Sequence, residues 1–272
     1  MRNRNLWLWP LLALLTLTAC ENLGEDDTLV RIHKEEFDLN DQHVIGSAIV
    51  TYMNENPLLF PVLDRTEYLE VYNYVDVLLE TLITTTEIST REDFNWEIVL
   101  LQDDNIRSAF AAPGGKVFIY TGLLKFIEAE NELMTVIAHE VSYSESGRVM
   151  NYLANKYSRD LFFLGDILLG YDVGDAMAEL CSYLKDLIYT TDEVVGADEF
   201  AINLICPFQY NALGMKSILD LAEQSTSEVF WLNVRPSAED RIEKIIENAN
   251  PCGDEEDPTF GERYAAYKLL LP

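Results

Sequence analysis

Val136-Ile137-Ala138-His139-Glu140-Val141-Ser142-Tyr143 decides how this chain is read. Its apolar residues recur at helical spacing, and it sits inside a stretch, Glu130 to Asn155, that reads as one long helix. Residues four apart share a helix face. His-Glu-x-x-His on such a face brings two imidazoles to one metal ion while the glutamate between them activates water. Here the first histidine, His139, and the glutamate, Glu140, are present, and the second histidine is replaced by Tyr143. The chain has three histidines, His33, His43 and His139, so no other lies near the motif in sequence.

Working outward, Asn40 to Asn56 and Thr66 to Thr84 have amphipathic helical spacing. Trp96 to Leu101 and Val117 to Tyr120 read as short strands, the second introduced by the turn signal Pro113-Gly114-Gly115, whose glycines are free to take positive φ. Leu161 to Tyr171 is a markedly apolar run. Asp175 to Tyr189, Glu193 to Cys206, Leu213 to Thr226 and Glu239 to Asn248 read as further helices. No internal repeat or second domain boundary is visible. The expectation is an α+β chain, mainly helical with a small sheet.

The N-terminus reads differently. Met1 to Asn5 carries two arginines, Leu6 to Leu15 is almost wholly apolar, and Leu17-Thr18-Ala19-Cys20 follows. This is the order of a secretory signal, and its apolar run is too short to span a bilayer comfortably. Its ending resembles the bacterial lipobox, which implies cleavage before Cys20 and acylation, such as palmitate, on that residue. The expected organisation is a signal peptide over 1–19, acylated Cys20 with an acidic tether over 20–39, and a folded domain over 40–272.

The chain has 19 basic and 47 acidic residues, a net charge of −28. Such a field repels nucleic acid and anionic headgroups, so membrane attachment would come from the acyl chains. An extracytoplasmic location allows disulfides. Cys181 lies in an apolar helical run and reads as a free core thiol. Cys206 and Cys252 lie at element ends and are the candidate pair, with connectivity left open.

From Trp96 to the C-terminus the chain resembles the zinc metallopeptidases that include the CAAX prenyl proteases, HtpX, BepA and Oma, the gluzincin family numbered forty-eight. The resemblance is carried by Phe110 to Leu124, by Glu132 to Glu140, by Ala197-Asp198-Glu199-Phe200 and by Pro236 to Arg241-Ile242. Cys206-Pro207, Tyr210-Asn211-Ala212 and Glu262 to Pro272 are similar to lipoprotein members of the Bacteroidetes type. It implies a zincin-like domain in which Lys116, Val117, Phe118 and Ile119 form a peptide-binding edge strand. It further implies that Glu140 is a vestigial general base and that Asp198 orients His139.

The departures fall on the chemistry. The family's third zinc ligand maps to Val194, which cannot ligate, and Glu193 is turned about 100° away around the helix. The histidine that helps bind the family's oxyanion is Arg235, the one nine residues after the first ligand is Arg148, and an asparagine of the edge strand is Ser108. His139 is the one retained ligand, so no metal is expected, and zinc belongs to the alternative reading. The former site is expected to be a packed cluster of His139, Tyr143, Val194 and Asp198, with Glu140 exposed or paired with a cation. Three functions stay open: a lipid-anchored pseudopeptidase binding polypeptide in the cell envelope, a residual metal-dependent endopeptidase in envelope quality control, and a structural lipoprotein scaffold for an envelope partner.

Overall fold

The computed structural model describes residues 37–156, 173–208, 210–225, 238–252 and 259–272. The signal, Cys20 and most of the tether lie outside the described residues, as do Leu161 to Tyr171, Arg235 and Pro236.

Helix α1, Leu39–Glu55, opens at Asp38, whose carboxylate accepts from Asp41 N at 2.8 Å while Asp41 Oδ2 accepts from Asp38 N at 3.0 Å. That reciprocal cap satisfies two backbone donors that would otherwise lack partners. Helix α2, Leu69–Ile83, follows, and then a three-stranded sheet: β1, Glu97–Leu101; β2, Ala109–Ala112; β3, Lys116–Tyr120. The strand order is β1-β3-β2, with β3 parallel to β1 and antiparallel to β2. Gly114 and Gly115 turn β2 into β3 at φ 69° and 80°, a region costly for side-chain-bearing residues. A Cβ on Gly114 would lie 2.7 Å from Gln42 O, so the turn also needs glycine for close approach to α1.

This order corrects one expectation. Lys116, Val117, Phe118 and Ile119 form the middle strand, not an edge. With a neighbour hydrogen-bonded on each side, β3 has no free backbone edge for another chain. All its residues are buried; even Lys116 is 1% exposed, its ammonium donating to Asn95 O at 2.6 Å and Glu97 Oε2 at 3.0 Å. The outer side of β1 is partly covered by the loop after α1, where Leu63 N donates to Leu100 O and Gln102 N to Pro61 O. Among the described residues no strand pairs with the outer side of β2.

Both sheet faces are buried, because side chains alternate along each strand. Ile98, Leu100, Val117 and Ile119 join one core, and Val99, Leu101, Phe110 and Phe118 the other. The register partners Phe110 and Phe118 stack with centroids 4.7 Å apart.

Helix α3, Thr121–Phe126, leads to α4, Glu130–Glu145, the central helix. Every residue from Glu130 to Ser144 is buried, so α4 is covered on all sides rather than amphipathic. Buried Glu130 accepts from the Tyr74 and Tyr210 hydroxyls and from Arg263. The long helix expected to Asn155 breaks at Gly147, whose φ of 66° ends α4; α5, Arg148–Lys156, restarts beyond it. Then come α6, Val173–Lys185; α7, Thr191–Ile205; α8, Gly214–Gln224; α9, Ala238–Ala249; and α10, Thr259–Lys268. Helix α7 packs along α4, and α9 packs on α7. Cys206, just past α7, is bonded to Cys252 with Cα atoms 5.2 Å apart, and Cys181 is a buried free thiol. The architecture is α+β, mainly helical with a small sheet, the arrangement of a zincin-like domain.

Candidate functional site

Helices α4 and α7 bring the motif residues together. His139 Nδ1 lies 3.0 Å from Asp198 Oδ1, with both side chains buried. Arg241, from α9, closes on the same carboxylate with two hydrogen bonds, Nε to Oδ2 and Nη2 to Oδ1, each 2.9 Å. Planar guanidinium matched to carboxylate is a strong geometry. Burial pushes the Asp198 carboxyl up, but its hydrogen bond with His139 and the Arg241 charge outweigh that and hold it below the ordinary range. Asp198 therefore joins three helices. Its histidine partner follows from the motif; its arginine partner was not assigned from sequence, although Arg241 lies in the late segment that carries the resemblance.

Tyr143 stands one turn after His139, its ring edge-on to the imidazole with centroids 5.1 Å apart. Its other neighbour is Tyr189, which follows α6 and stacks face to face on it, 3.7 Å between centroids and 6° between planes. Tyr189 in turn meets Tyr152 of α5 edge-on. Burial pushes the Tyr143 phenol well above its ordinary value, and the Glu140 and Asp198 charges push the same way. Burial also raises Tyr189, again helped by Glu140. Both phenols are neutral at any physiological pH. The contribution of Tyr189 was not legible in sequence, since nothing in its spacing points to position 143.

Val194 is buried and reaches the same cavity as His139, Glu140 and Tyr143. Glu193, one residue earlier, is occupied elsewhere: it accepts from Thr190 N and Oγ1, each at 2.7 Å, and from the Tyr152 hydroxyl at 2.9 Å. It is the third residue of α7 and completes that helix's capping box. Arg148 donates to Glu193 O at 2.6 Å, fixing α5 to the start of α7.

For Glu140 two placements were expected, exposure to solvent or pairing with a cation, and the structure rules out the first. It is 2% exposed rather than facing solvent, because α4 is buried on every side. It lines a cavity of about 280 Å³ whose floor is His139, Tyr143, Val194 and Arg241. The cavity is also lined by Ser108, Ala109 and Phe110, at the start of β2, which on its outer side pairs with no strand among the described residues, and by Leu184 to Tyr189.

The resemblance implies zinc, so the donor set can be tested against it. A hydrolytic zinc centre takes three protein ligands and keeps one position for water. His139 has one ring nitrogen at Asp198, which leaves only Nε2 for a metal. Tyr143 is held neutral against Tyr189, Val194 has no donor atom, and both Asp198 oxygens are engaged by Arg241. Among the described residues no group of three or more His, Cys, Asp or Glu side chains could hold a metal. These residues do not fit a catalytic zinc ion.

Three curated relatives are similar in sequence. Mitochondrial metalloendopeptidase OMA1 of Arabidopsis thaliana is 25% identical over 163 residues, covering 58% of this chain and 32% of the relative. The protein of the same name from Schizosaccharomyces pombe is 26% identical over 182 residues, 64% of this chain and 52% of the relative. Metalloendopeptidase OMA1, mitochondrial, of Homo sapiens is 25% identical over 114 residues, 40% and 21%. The chain thus spans about a third of the first relative's length and about half of the second's. Residues 71–249, from α2 to the end of α9, match the pattern of Peptidase family M48. That match covers well over half of the chain and includes the α4–α7–α9 arrangement around Asp198, so the chain belongs to Peptidase family M48.

Proposed function

We propose that this metalloendopeptidase-like domain is a pseudopeptidase that binds extended polypeptide without cutting it, held at a membrane in the cell envelope by acylated Cys20. One observation carries the reading: the side of β2 that pairs with no other strand among the described residues borders the cavity around His139, and the residues there do not fit zinc. An unpaired strand edge can take an extended chain through backbone hydrogen bonds with no help from a metal. Ser108 to Phe110 would provide that edge, in place of Lys116 to Ile119 in the sheet's centre. In this reading the acyl chains on Cys20 provide the attachment; among the described residues no helix is long and apolar enough to cross a membrane.

The test is to titrate the full chain with a reduced, unfolded polypeptide, with and without a chelator, following binding and cleavage together. Equal binding under both conditions and an intact polypeptide are expected. Cleavage that the chelator abolishes would restore the residual endopeptidase. Absence of binding would leave the scaffold.

A further inference from the structure

We propose that a second cavity, between α2, the start of α4 and α10, binds an uncharged apolar ligand that ends in a carboxamide. It shares no lining residue with the cavity around His139 and stands independently of the polypeptide-binding reading. Its volume is about 560 Å³, twice that of the cavity around His139. Small-molecule sites run from about 300 to 1,000 Å³ and have mostly apolar walls with a few placed polar groups. The walls here are of that kind: Val77 and Leu78 from α2, Phe208 and Tyr210 after α7, and Phe260 from α10. Tyr210 and Phe260 stack with centroids 4.2 Å apart, and Val77, 64% exposed, reaches solvent.

The polar groups gather at one end. Buried Glu130 accepts from the Tyr74 and Tyr210 hydroxyls and from Nε and Nη2 of Arg263. Burial pushes both phenols up, and their hydrogen bonds to Glu130 push the same way, so both are neutral. The hydrogen bond to Glu130 raises the Arg263 guanidinium further, so it stays charged. Among the described residues Glu130 and Arg263 are the charged groups that line the cavity, one of each sign. A charged ligand would bring an unmatched charge against this balanced pair, at a desolvation cost. An uncharged one meets no such penalty.

Two hydrogen-bonding positions remain at that end. Glu130 takes Nε and Nη2 of Arg263, and among the described residues nothing accepts from Nη1. The Arg263 side chain is 48% exposed, so this edge of the guanidinium is within reach of a ligand. It is held against the wall, 4.4 Å from the Phe260 ring centroid. Tyr74 gives its hydrogen to Glu130, which leaves its oxygen as an acceptor. A carboxamide matches both: its carbonyl oxygen accepts from Nη1, and its N–H donates to the Tyr74 oxygen. The apolar body of the ligand then lies against Val77, Phe208 and Phe260. At longer range the net charge of −28 repels anions, which agrees with an uncharged ligand.

The experiment titrates the full chain with molecules of one shape and different ends: phenylpropanamide, phenylpropanoate, phenylpropylammonium and propylbenzene. Kd is measured for each, and the ring resonances of Tyr74, Tyr210 and Phe260 locate the binding. The amide should bind about tenfold tighter than propylbenzene, the size of one hydrogen bond to a charged group, and tighter than either ion. Arg263→Gln should erase the amide's advantage while leaving the propylbenzene Kd unchanged. If that variant does not fold, Phe208→Ala serves. It removes wall and keeps the polar end, so it should weaken amide and propylbenzene by the same factor. Equal Kd values for amide and propylbenzene in the wild type, an ion that binds as tightly as the amide, or an advantage that survives Arg263→Gln overturns the site. So do Kd values that Phe208→Ala leaves unchanged, or ring resonances that show no saturable shift with any of the molecules.

Discussion

Tyr189 lies flat on Tyr143, their rings 3.7 Å apart and 6° from parallel, where the second imidazole of a His-Glu-x-x-His pair would otherwise project from the helix. The stack joins the segment after α6 to the central helix. Tyr189→Ala removes an aromatic pair and enlarges the cavity beside Glu140. A loss of about 1–3 kcal/mol is expected, at the lower end of aromatic truncations because Tyr189 is only half-buried. Urea unfolding measures it; a midpoint equal to wild type would show that the stack holds nothing in place.

Asp198 gathers His139 and Arg241 in the interior. Asp198→Ala leaves a buried guanidinium without its counter-charge, and the expected cost is about 3–5 kcal/mol. The pH dependence follows from the lowered carboxyl. Because its folded pKa lies below the unfolded value of about 3.9, its contribution is complete above that value. It is lost as pH falls through the folded pKa, so the wild type should lose its advantage over Asp198→Ala only in strong acid. Parallel acid titrations of stability check this, and a gap that closes near neutral pH contradicts it.

Zinc should leave the wild-type melting temperature unchanged at micromolar metal, since a ligand that does not bind the native state cannot stabilise it. The double variant Tyr143→His with Val194→Glu returns two donors to the His139 face. It should take up about one zinc per chain and gain about 2.7 kcal/mol at a free zinc concentration near a hundred times its Kd. Metal analysis alongside thermal melts reads both. A zinc-dependent rise in the unaltered protein would return the chain to the active peptidases.

Cys20→Ala should release the protein from the membrane fraction or leave its precursor uncleaved. Fractionation and intact mass report the outcome, and unchanged mass with full membrane retention would remove the lipid anchor from the proposal.

The elements were legible wherever a local rule sufficed. Apolar spacing marked α1, α2 and α6 to α9 to within a few residues, and Pro113-Gly114-Gly115 marked the turn into β3. The single helix expected from Glu130 to Asn155 was too long, because the periodicity continues across Gly147 while only backbone conformation shows its positive φ. Helix α10 and strand β2 were not read as periodic elements at all; β2 is four small or aromatic residues with both faces buried, a pattern without alternation.

By itself the sequence determined the family and the helix that carries His139 and Glu140, and it showed Tyr143 at the place of the second histidine, because a ligand motif depends on residue type and spacing. Tertiary structure alone decided the rest. Among the described residues, strand order put Lys116 to Ile119 in the middle of the sheet and Ala109 to Ala112 at its edge, since β3 pairs with β1 across the intervening β2 segment as well as with β2 itself. Burial of α4 on every side drew Glu140 inward, where periodicity alone could not show how many neighbours a helix has. The approach of α9 gave Asp198 its arginine, the fold brought Tyr189 onto Tyr143, and it settled the connectivity that the sequence left open for the candidate pair Cys206 and Cys252. Each is a contact between residues more than forty positions apart, where local propensity carries no information and packing selects the partner.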